Sequence, residues 1–252
     1  MNDITIRRPI QWASAAVTNT GAVRAINEDA IFAKPDIALW AVADGMGGHE
    51  AGDVASNMIV EALSMLAPKN QLGDFIAEIE NAINDVNRRL LEYAHSQHEG
   101  RLIGSTVAIL FIIEHTGVCL WAGDSRLYRF RNSELKQMTV DHSHVSELLR
   151  DGLISAEEAE NHPEANVITR AVGTYEHLQL DVDIFDVRVG DSFLLCSDGL
   201  YNAVPLDKIS QCLLSDNVTG ATDCLIETAL ENSAADNVSV VLVKGSLGSI
   251  AD

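Results

Sequence analysis

The sequence predicts an α+β chain folded as a four-layer α/β/β/α sandwich, two antiparallel sheets flanked by helices. Three observations predict it. The apolar runs are short and of strand length, such as Ile37 to Ala43 and Phe193 to Cys196. Turn-rich segments separate them, which suits hairpins. Helical periodicity is confined to two blocks, one after the first strands and one before the last. Helices grouped in this way cover the outer faces of stacked sheets rather than alternate with strands.

In order, residues 1–10 read as an arm and Trp12 to Asn19 as a strand. A polar connection, Thr20 to Asp29, leads into a short strand, Ala30 to Ala33. Lys34-Pro35-Asp36 is a turn. Ile37 to Ala43 is a buried strand that delivers Asp44 to a glycine-rich loop. From Asp53 the period changes: Val54, Met58, Ala62 and Leu66 recur at i+4 beside Ala55, Ile59 and Leu63, an amphipathic helix that Pro68 ends. A second helix runs from about Asp74 to His95, with Phe75, Ile79, Ile83, Val86 and Leu90 on one face. Gly104 to Ile113 and Val118 to Ala122 form a hairpin about Glu114 to Gly117. Arg126 to Phe130 and Glu134 to Thr139 form another. Residues 141–178 are polar and read as a surface insertion. Leu178 to Val187 alternates, with Leu180, Val182 and Ile184 on one face. Ser192 to Cys196 is a buried strand, Leu206 to Leu214 and Thr219 to Glu231 are helices, and Asn237 to Lys244 is the last strand.

Composition bounds the function. The 252 residues are 47% hydrophobic and 21% charged, enough apolar residues for a sizeable core. No Pro/Gly/Ser-rich linker interrupts them, so residues 1–252 are expected to form one domain, its core spanning about 12–244. With 37 acidic against 17 basic residues the net charge is −20, which argues against nucleic acid and anionic membrane as partners. The longest apolar run, Leu102 to Ile113, is too short to span a bilayer. Arg7-Arg8 precedes Pro-Ile-Gln-Trp rather than an apolar segment, so the expected location is cytoplasmic. Cys119, Cys196, Cys212 and Cys224 form no Cys-x-x-Cys pair and read as buried reduced thiols rather than zinc ligands or disulfides.

Three aspartates carry the chemistry. Asp44, Asp198 and Asp236 each border a buried apolar run. Any one Asp-Gly is ordinarily a turn. Three buried carboxylates together need cations or donors, because an unpaired buried charge costs several kcal/mol. All-oxygen ligands suit Mg²⁺ or Mn²⁺ over Zn²⁺. Arg24, Glu28 and Asp29 are a second group, either a salt-bridged loop or a phosphate-binding guanidinium beside further acidic ligands. Asp124 also follows an apolar strand, as a turn cap or an additional ligand. His95 and His98 read as solvent-exposed, and His142 and His144 as polar loop residues. Gly45-Met-Gly-Gly lacks the Lys-Ser/Thr of a P-loop.

In this order along the chain, Arg24-x-x-Asn-Glu28-Asp29, Asp44-Gly-Met-Gly-Gly-His, Gly104-Ser-Thr, Gly123-Asp124-Ser-Arg, Ser197-Asp198-Gly-Leu and Asp236-Asn237 resemble the motifs of the metal-dependent serine/threonine protein phosphatases, the PPM or type 2C family. Asp-Gly-Met-Gly-Gly-His and Ile168-Thr-Arg-Ala-Val-Gly173 favour its bacterial branch. The resemblance implies the same sandwich and a two-metal centre holding Mn²⁺ or Mg²⁺. Asp44 would bridge the ions with the Gly45 carbonyl as a further ligand, Asp198 and Asp236 would hold the first, and Glu28 the second. Asp29 would orient water, Arg24 would bind the substrate phosphate, and Asp124 with Asp198 would support a third, weaker ion. Two such ions lower the pKa of water towards neutrality, so no cysteine nucleophile is expected. Residues 141–178 match the family's variable flap. Animal members carry a histidine directly after the Asp-Gly as an acid; here that position is Met46, and His49 does not inherit the role. The implied partners are phosphorylated proteins and an opposing bacterial Ser/Thr kinase, the chain acting as a monomer. A small phosphorylated metabolite or a phosphorylated anti-sigma-factor antagonist as substrate, and an inactive phosphopeptide-binding module, are the alternatives; the intact Asp44, Asp198, Asp236 and Arg24 weigh against the module.

Overall fold

The computed structural model describes residues 10–47, 51–69, 71–98, 101–160, 162–164 and 167–248. The chain opens with β1 (Ile10–Asn19) and β2 (Asp29–Lys34), a 3-10 turn over Pro35–Ile37, and β3 (Leu39–Met46). Helices α1 (Gly52–Ser64) and α2 (Leu72–Gln97) follow. Then come β4 (Gly104–Ser105), β5 (Val107–Ile113), β6 (Thr116–Ala122), β7 (Arg126–Arg131) and β8 (Glu134–Gln137). Two short helices, α3 (His144–Arg150) and α4 (Ala156–Glu160), belong to the insertion. The chain ends with β9 (Asp181–Asp186), β10 (Ser192–Cys196), α5 (Asp198–Ala203), α6 (Leu206–Leu213), α7 (Val218–Glu231) and β11 (Val238–Leu247).

Two antiparallel sheets result. One runs β1-β11-β10-β7-β8 and the other β2-β3-β5-β6-β9, with β4 added to β3. The outer face of the second sheet (Leu39, Ala41, Ile109, Phe111, Val118, Leu120) packs on the stripes Ala55/Ile59/Leu63 of α1 and Phe75/Ile79/Ile83/Leu90 of α2. Helical spacing puts those residues on one face, and each such buried side chain contributes on the order of 2 kcal/mol. The first sheet's outer face (Leu194, Val240, Leu242) packs on α5, α6 and α7 through Leu200, Ile209 and Leu225. Between the sheets, Trp40, Val42, Leu110, Phe193, Leu195 and Val241 interdigitate. Strand alternation thus gives every central strand two buried faces, and that makes their sequences continuously apolar.

Several expectations need correction. The third strand begins at Leu39, because Pro35 sets a 3-10 turn, and it runs through Asp44 to Met46. Asp44 therefore sits inside a strand, not in a loop beyond it. The run Gly104–Ile113 is split at Thr106, whose main chain and hydroxyl both bond to Asp44. On β9, Val182 and Ile184 are 38% and 53% exposed; only Leu180, just before the strand, is buried. β9 is the edge strand of its sheet, where alternation does not ensure burial. Cys212 and Cys224 form a disulfide between α6 and α7, whereas Cys119 and Cys196 are buried free thiols. The insertion is not purely surface: Val145, Ala171 and Val172 are buried, and Val172 bridges to Ser105. Of the arm expected at 1–10, Ile10 already belongs to β1; residues 1–9, like His49, lie outside the described residues.

Candidate active site

Strand register gathers carboxylates at one end of the sandwich. Asp29, the first residue of β2, stands directly opposite Asp44 in β3. Opposed side chains in an antiparallel pair share a face and approach closely, so two like charges there are unfavourable. Neutral donors and acceptors fix the strand that bears Asp44. Its N–H donates to Thr106 Oγ1 (3.1 Å), and its carbonyl accepts from Thr106 N–H (2.8 Å) and Ser105 Oγ (3.0 Å). Thr106 Oγ1 lies 2.6 Å from Ser125 Oγ, tying in the turn that bears Asp124. Asp198 opens α5 just past β10, and Asp236 precedes β11. These strands are paired, with Cys196 opposite Val240, so the two aspartates leave the sheet side by side.

The five carboxylates Glu28, Asp44, Asp124, Asp198 and Asp236 and the guanidinium of Arg24 line a single cleft of about 350 Å³. Gly45 and Met46 line it too, as does Ile168 from the insertion. Asp29 is buried beside the cleft, where Ser197 Oγ donates to its Oδ2 at 2.8 Å. Every residue that the sequence singled out for the site is therefore brought to one end of the sheets. Two glycines permit the close approach. A Cβ on Gly45 would stand 2.0 Å from the Gly52 carbonyl oxygen, and one on Gly52 would stand 2.4 Å from Glu28 Oε1.

Burial and mutual repulsion raise Asp29, Asp44, Asp124 and Asp198. The Asp44 carboxyl is held well above the usual carboxylate range, by burial first and then by the charges of Asp29, Asp198, Asp124 and Asp236. Burial pushes Asp29 up to about 6, against the hydroxyls of Ser239 and Ser197, which lower it. Asp198 rises to about 6 by burial and then by Asp236, and Asp124 to about 7 by burial and then by Asp198. Arg24 Nη2 donates to Asp236 Oδ2 at 2.8 Å, and this hydrogen bond raises the guanidinium pKa further.

The donor set fits hard divalent ions. Its members are carboxylate oxygens and a backbone carbonyl, with one cation among the residues lining the cleft. The buried Oδ1 of Asp29 has no hydrogen-bond partner, an orphan acceptor of the kind that an ion or ordered water satisfies. Among the described residues, no three His, Cys, Asp or Glu side chains already close into a cage. The acids stand around the cleft from separate elements, and Asp236 reaches to Arg24.

A second network roots the insertion. Arg126 Nε and Nη2 grip both oxygens of Asp141 (2.7–3.1 Å), and its guanidinium carbon lies 3.5 Å from the Tyr201 ring centroid. The Tyr201 hydroxyl donates to the Asp124 carbonyl at 3.1 Å, linking α5 to that turn. His142 is buried against Trp121, its Nδ1 accepting from Gly123 N–H at 3.1 Å. Its Nε2 lies 3.2 Å from Asp181 Oδ2 without the alignment of a hydrogen bond, and burial lowers its pKa. Sequence reasoning assigned no role to Thr106, Ser197 or Asn237. The one available signal was their place inside the short motifs Gly104-Ser-Thr, Ser197-Asp and Asp236-Asn237.

With this geometry established, comparison with known proteins gives a consistent result. The family model described as Protein phosphatase 2C matches residues 22–215. The serine/threonine phosphatase stp of Listeria innocua serovar 6a is 38% identical over 239 residues, 91% of this chain and 94% of its own length. Among solved structures, PppA, described as a key regulatory component of T6SS in Pseudomonas aeruginosa, matches with a TM-score of 0.87 at 37% identity, over 95% of this chain and 100% of its own. The catalytic domain of the serine threonine protein phosphatase PstP, solved in complex with two manganese ions, matches with a TM-score of 0.84 at 33% identity, over 94% of this chain and 99% of its own.

Proposed function

The chain belongs to the protein phosphatase 2C family, and from that premise we propose that it is a Mn²⁺- or Mg²⁺-dependent serine/threonine protein phosphatase. The observation that carries the proposal is the single cleft lined by five carboxylates and one guanidinium. In this reading Asp44, Asp198, Asp236, Glu28 and the Gly45 carbonyl would hold two ions, and Asp124 with Asp198 would hold a third more weakly. When bound, such ions act as Lewis acids and make water a competent nucleophile near neutral pH. Asp29, buried and bonded to Ser197, orients that water. Arg24 offers its fork of donors to the phosphoryl oxygens, where charge develops during transfer. It stands at the cleft mouth on a half-exposed side chain, so it can turn from Asp236 to an incoming phosphate.

No cysteine lines the cleft, and Cys119 and Cys196 are buried away from solvent, in keeping with direct attack by water. Met46 lines the cleft where animal members of the family carry an acid. The substrates are phosphorylated proteins, and the opposing enzyme is a bacterial Ser/Thr kinase. Residues 1–252 act as one catalytic domain, monomeric and cytoplasmic. Among the described residues no helix is long and apolar enough to cross a membrane.

The test is phosphate release from a phosphothreonine peptide by metal-stripped protein, with and without Mn²⁺, for the wild type and Asp198→Asn. Release that requires Mn²⁺ and is lost in the variant is the expected result. Release that persists with excess chelator, or that survives in the variant, overturns the assignment.

A further inference from the structure

The segment that carries Arg24 and Glu28, residues 20–28, has no helix or strand of its own. It rests on the stretch just before β11. Ala22 N–H donates to the Ala234 carbonyl at 2.9 Å. Gly21, at φ +80°, passes so close that a Cβ would stand 2.0 Å from the Asp236 carbonyl oxygen. One side chain joins three points of the segment. Asn237 is 4% exposed. Its Oδ1 accepts from Glu28 N–H at 2.8 Å, and its Nδ2 donates to the carbonyls of Thr20 (2.9 Å) and Ile26 (3.0 Å). Its own N–H donates to Asp236 Oδ1 at 2.8 Å.

We infer that Asn237 is the positioning residue that sets Arg24 and Glu28 relative to Asp236, and so couples phosphate recognition to the ligand set. This rests on the phosphatase reading above. The chemistry demands an amide. One planar group must offer an acceptor on one side and two donors on the other, in a site closed to water. Aspartate keeps the acceptor but turns its second oxygen against two carbonyl oxygens. Serine cannot reach three partners, and glutamine carries the amide too far. Because Asn237 is neutral, it anchors the segment without neutralising the carboxylates beside it. The loss of three bonds to the segment's backbone is felt as displacement of the loop, since those groups then turn to water.

The experiment uses the full chain with Asn237→Ala, Asn237→Asp, Arg24→Ala and the Arg24→Ala/Asn237→Ala double variant. Asn237→Ala is expected to raise KM for a phosphothreonine peptide about tenfold, with a smaller change in kcat. Mn²⁺ binding by calorimetry should weaken severalfold. Exchange of the Glu28 amide should accelerate at least tenfold, and that of Ala22 severalfold as the segment lifts off, while that of β11 is unchanged. Asn237→Asp should match the rise in KM yet keep the Glu28 amide protected, because its acceptor survives. In the Arg24→Ala background, Asn237→Ala should add less than twofold to KM, since its effect on phosphate recognition runs through Arg24, while its effect on Mn²⁺ binding through Glu28 should persist. Full multiplication of the two KM effects, or unchanged exchange in 20–28, overturns the inference. If Asn237→Ala does not fold, the wild type decides: a Glu28 amide that exchanges as fast as a free amide also overturns it. A wild type that hydrolyses no phosphopeptide would sink the phosphatase reading, while the exchange and Mn²⁺ measurements would still judge Asn237.

Discussion

Metal-stripped protein should be more stable in mild acid than at neutral pH, the reverse of ordinary acid denaturation. Asp29 and Asp198 are raised to about 6, Asp124 to about 7 and Asp44 well above the ordinary range. A carboxyl whose folded pKa exceeds its unfolded value of 3.8 binds its proton more tightly when folded. The penalty it places on folding is absent below pH 3.8 and grows as pH rises towards 7. For Asp29 alone, the rise from 3.8 to about 6 corresponds to about 3 kcal/mol. Each acid is raised partly by its neighbours' charge, so the cluster together costs on the order of 5 kcal/mol rather than several times the single value. His142, with its pKa lowered by burial, works in the opposite direction as one group against four. In a domain of this length each kcal/mol moves Tm by about 2–4 °C, and about half of the penalty develops above pH 5, so Tm in excess chelator should fall by roughly 5–10 °C between about pH 5 and 7.5. Thermal melts by circular dichroism across that range, with a parallel series in excess Mn²⁺, make the assay. Because the ions favour the ionised acids, the stabilisation by Mn²⁺ should grow with pH, reaching about 2.7 kcal/mol when Mn²⁺ is at 100 times its Kd. A metal-free Tm that rises or stays level from pH 5 to 7.5 would refute the claim that these carboxyls share one buried cleft.

Asp198→Asn removes one of the repelling charges, so at pH 7.5 it should raise the metal-free Tm by several degrees while abolishing Mn²⁺ binding by calorimetry; a lowered Tm would mean that Asp198 holds the fold together. Arg126→Ala leaves the largely buried Asp141 without its two-pronged partner and should cost about 3–5 kcal/mol, read as a shift in the urea midpoint; an unchanged midpoint would show the pair to be structurally idle. Reduction of the Cys212–Cys224 disulfide, which closes a separation of 12 residues, should cost about 3 kcal/mol. A Tm indifferent to reductant, in wild type and in Cys212→Ser alike, would mean that the bridge does not form in solution.

Much of the architecture was legible because the amphipathic stripes and buried runs have unambiguous periods. The face of α2 from Phe75 to Leu90 is buried as its spacing demands. Tertiary competition hid the remainder. Alternation in β9 marked Val182 and Ile184 as apolar but could not show that β9 lies at the edge of its sheet, where both are exposed. The break at Thr106 lies inside an apolar run, and only its bonds to Asp44 explain it. Asp198 to Ala203 is a six-residue helix, too short to show a period against the apolar strand before it. The pairing of Cys212 with Cys224 depends on α6 packing against α7, a distance that spacing along the chain does not encode.

The site was legible as a set of residues but not as a geometry. Each aspartate borders an apolar run near the open end of the sandwich, Asp44 still within its strand, so the motifs mark that border without saying that the borders coincide. Register supplies that: Asp29 faces Asp44, and the pairing of β10 with β11 sets Asp198 beside Asp236. Such an arrangement repels itself, and something must hold it. A cation beside each acid would stabilise the fold but would compete with a metal for the same oxygens. Neutral groups instead hold the backbone behind the acids. Thr106 and Ser105 fix Asp44, Ser56 donates to the Glu28 carbonyl at 2.6 Å, and Asn237 holds the Glu28 N–H. Among the described residues only Asp236 of these acids is tied to a cation, and Arg24 is half-exposed there and free to leave. Anchoring by neutral donors and acceptors therefore keeps the acids in place while leaving their charge for the ions, at the cost of a metal-free protein less stable near neutral pH than in mild acid.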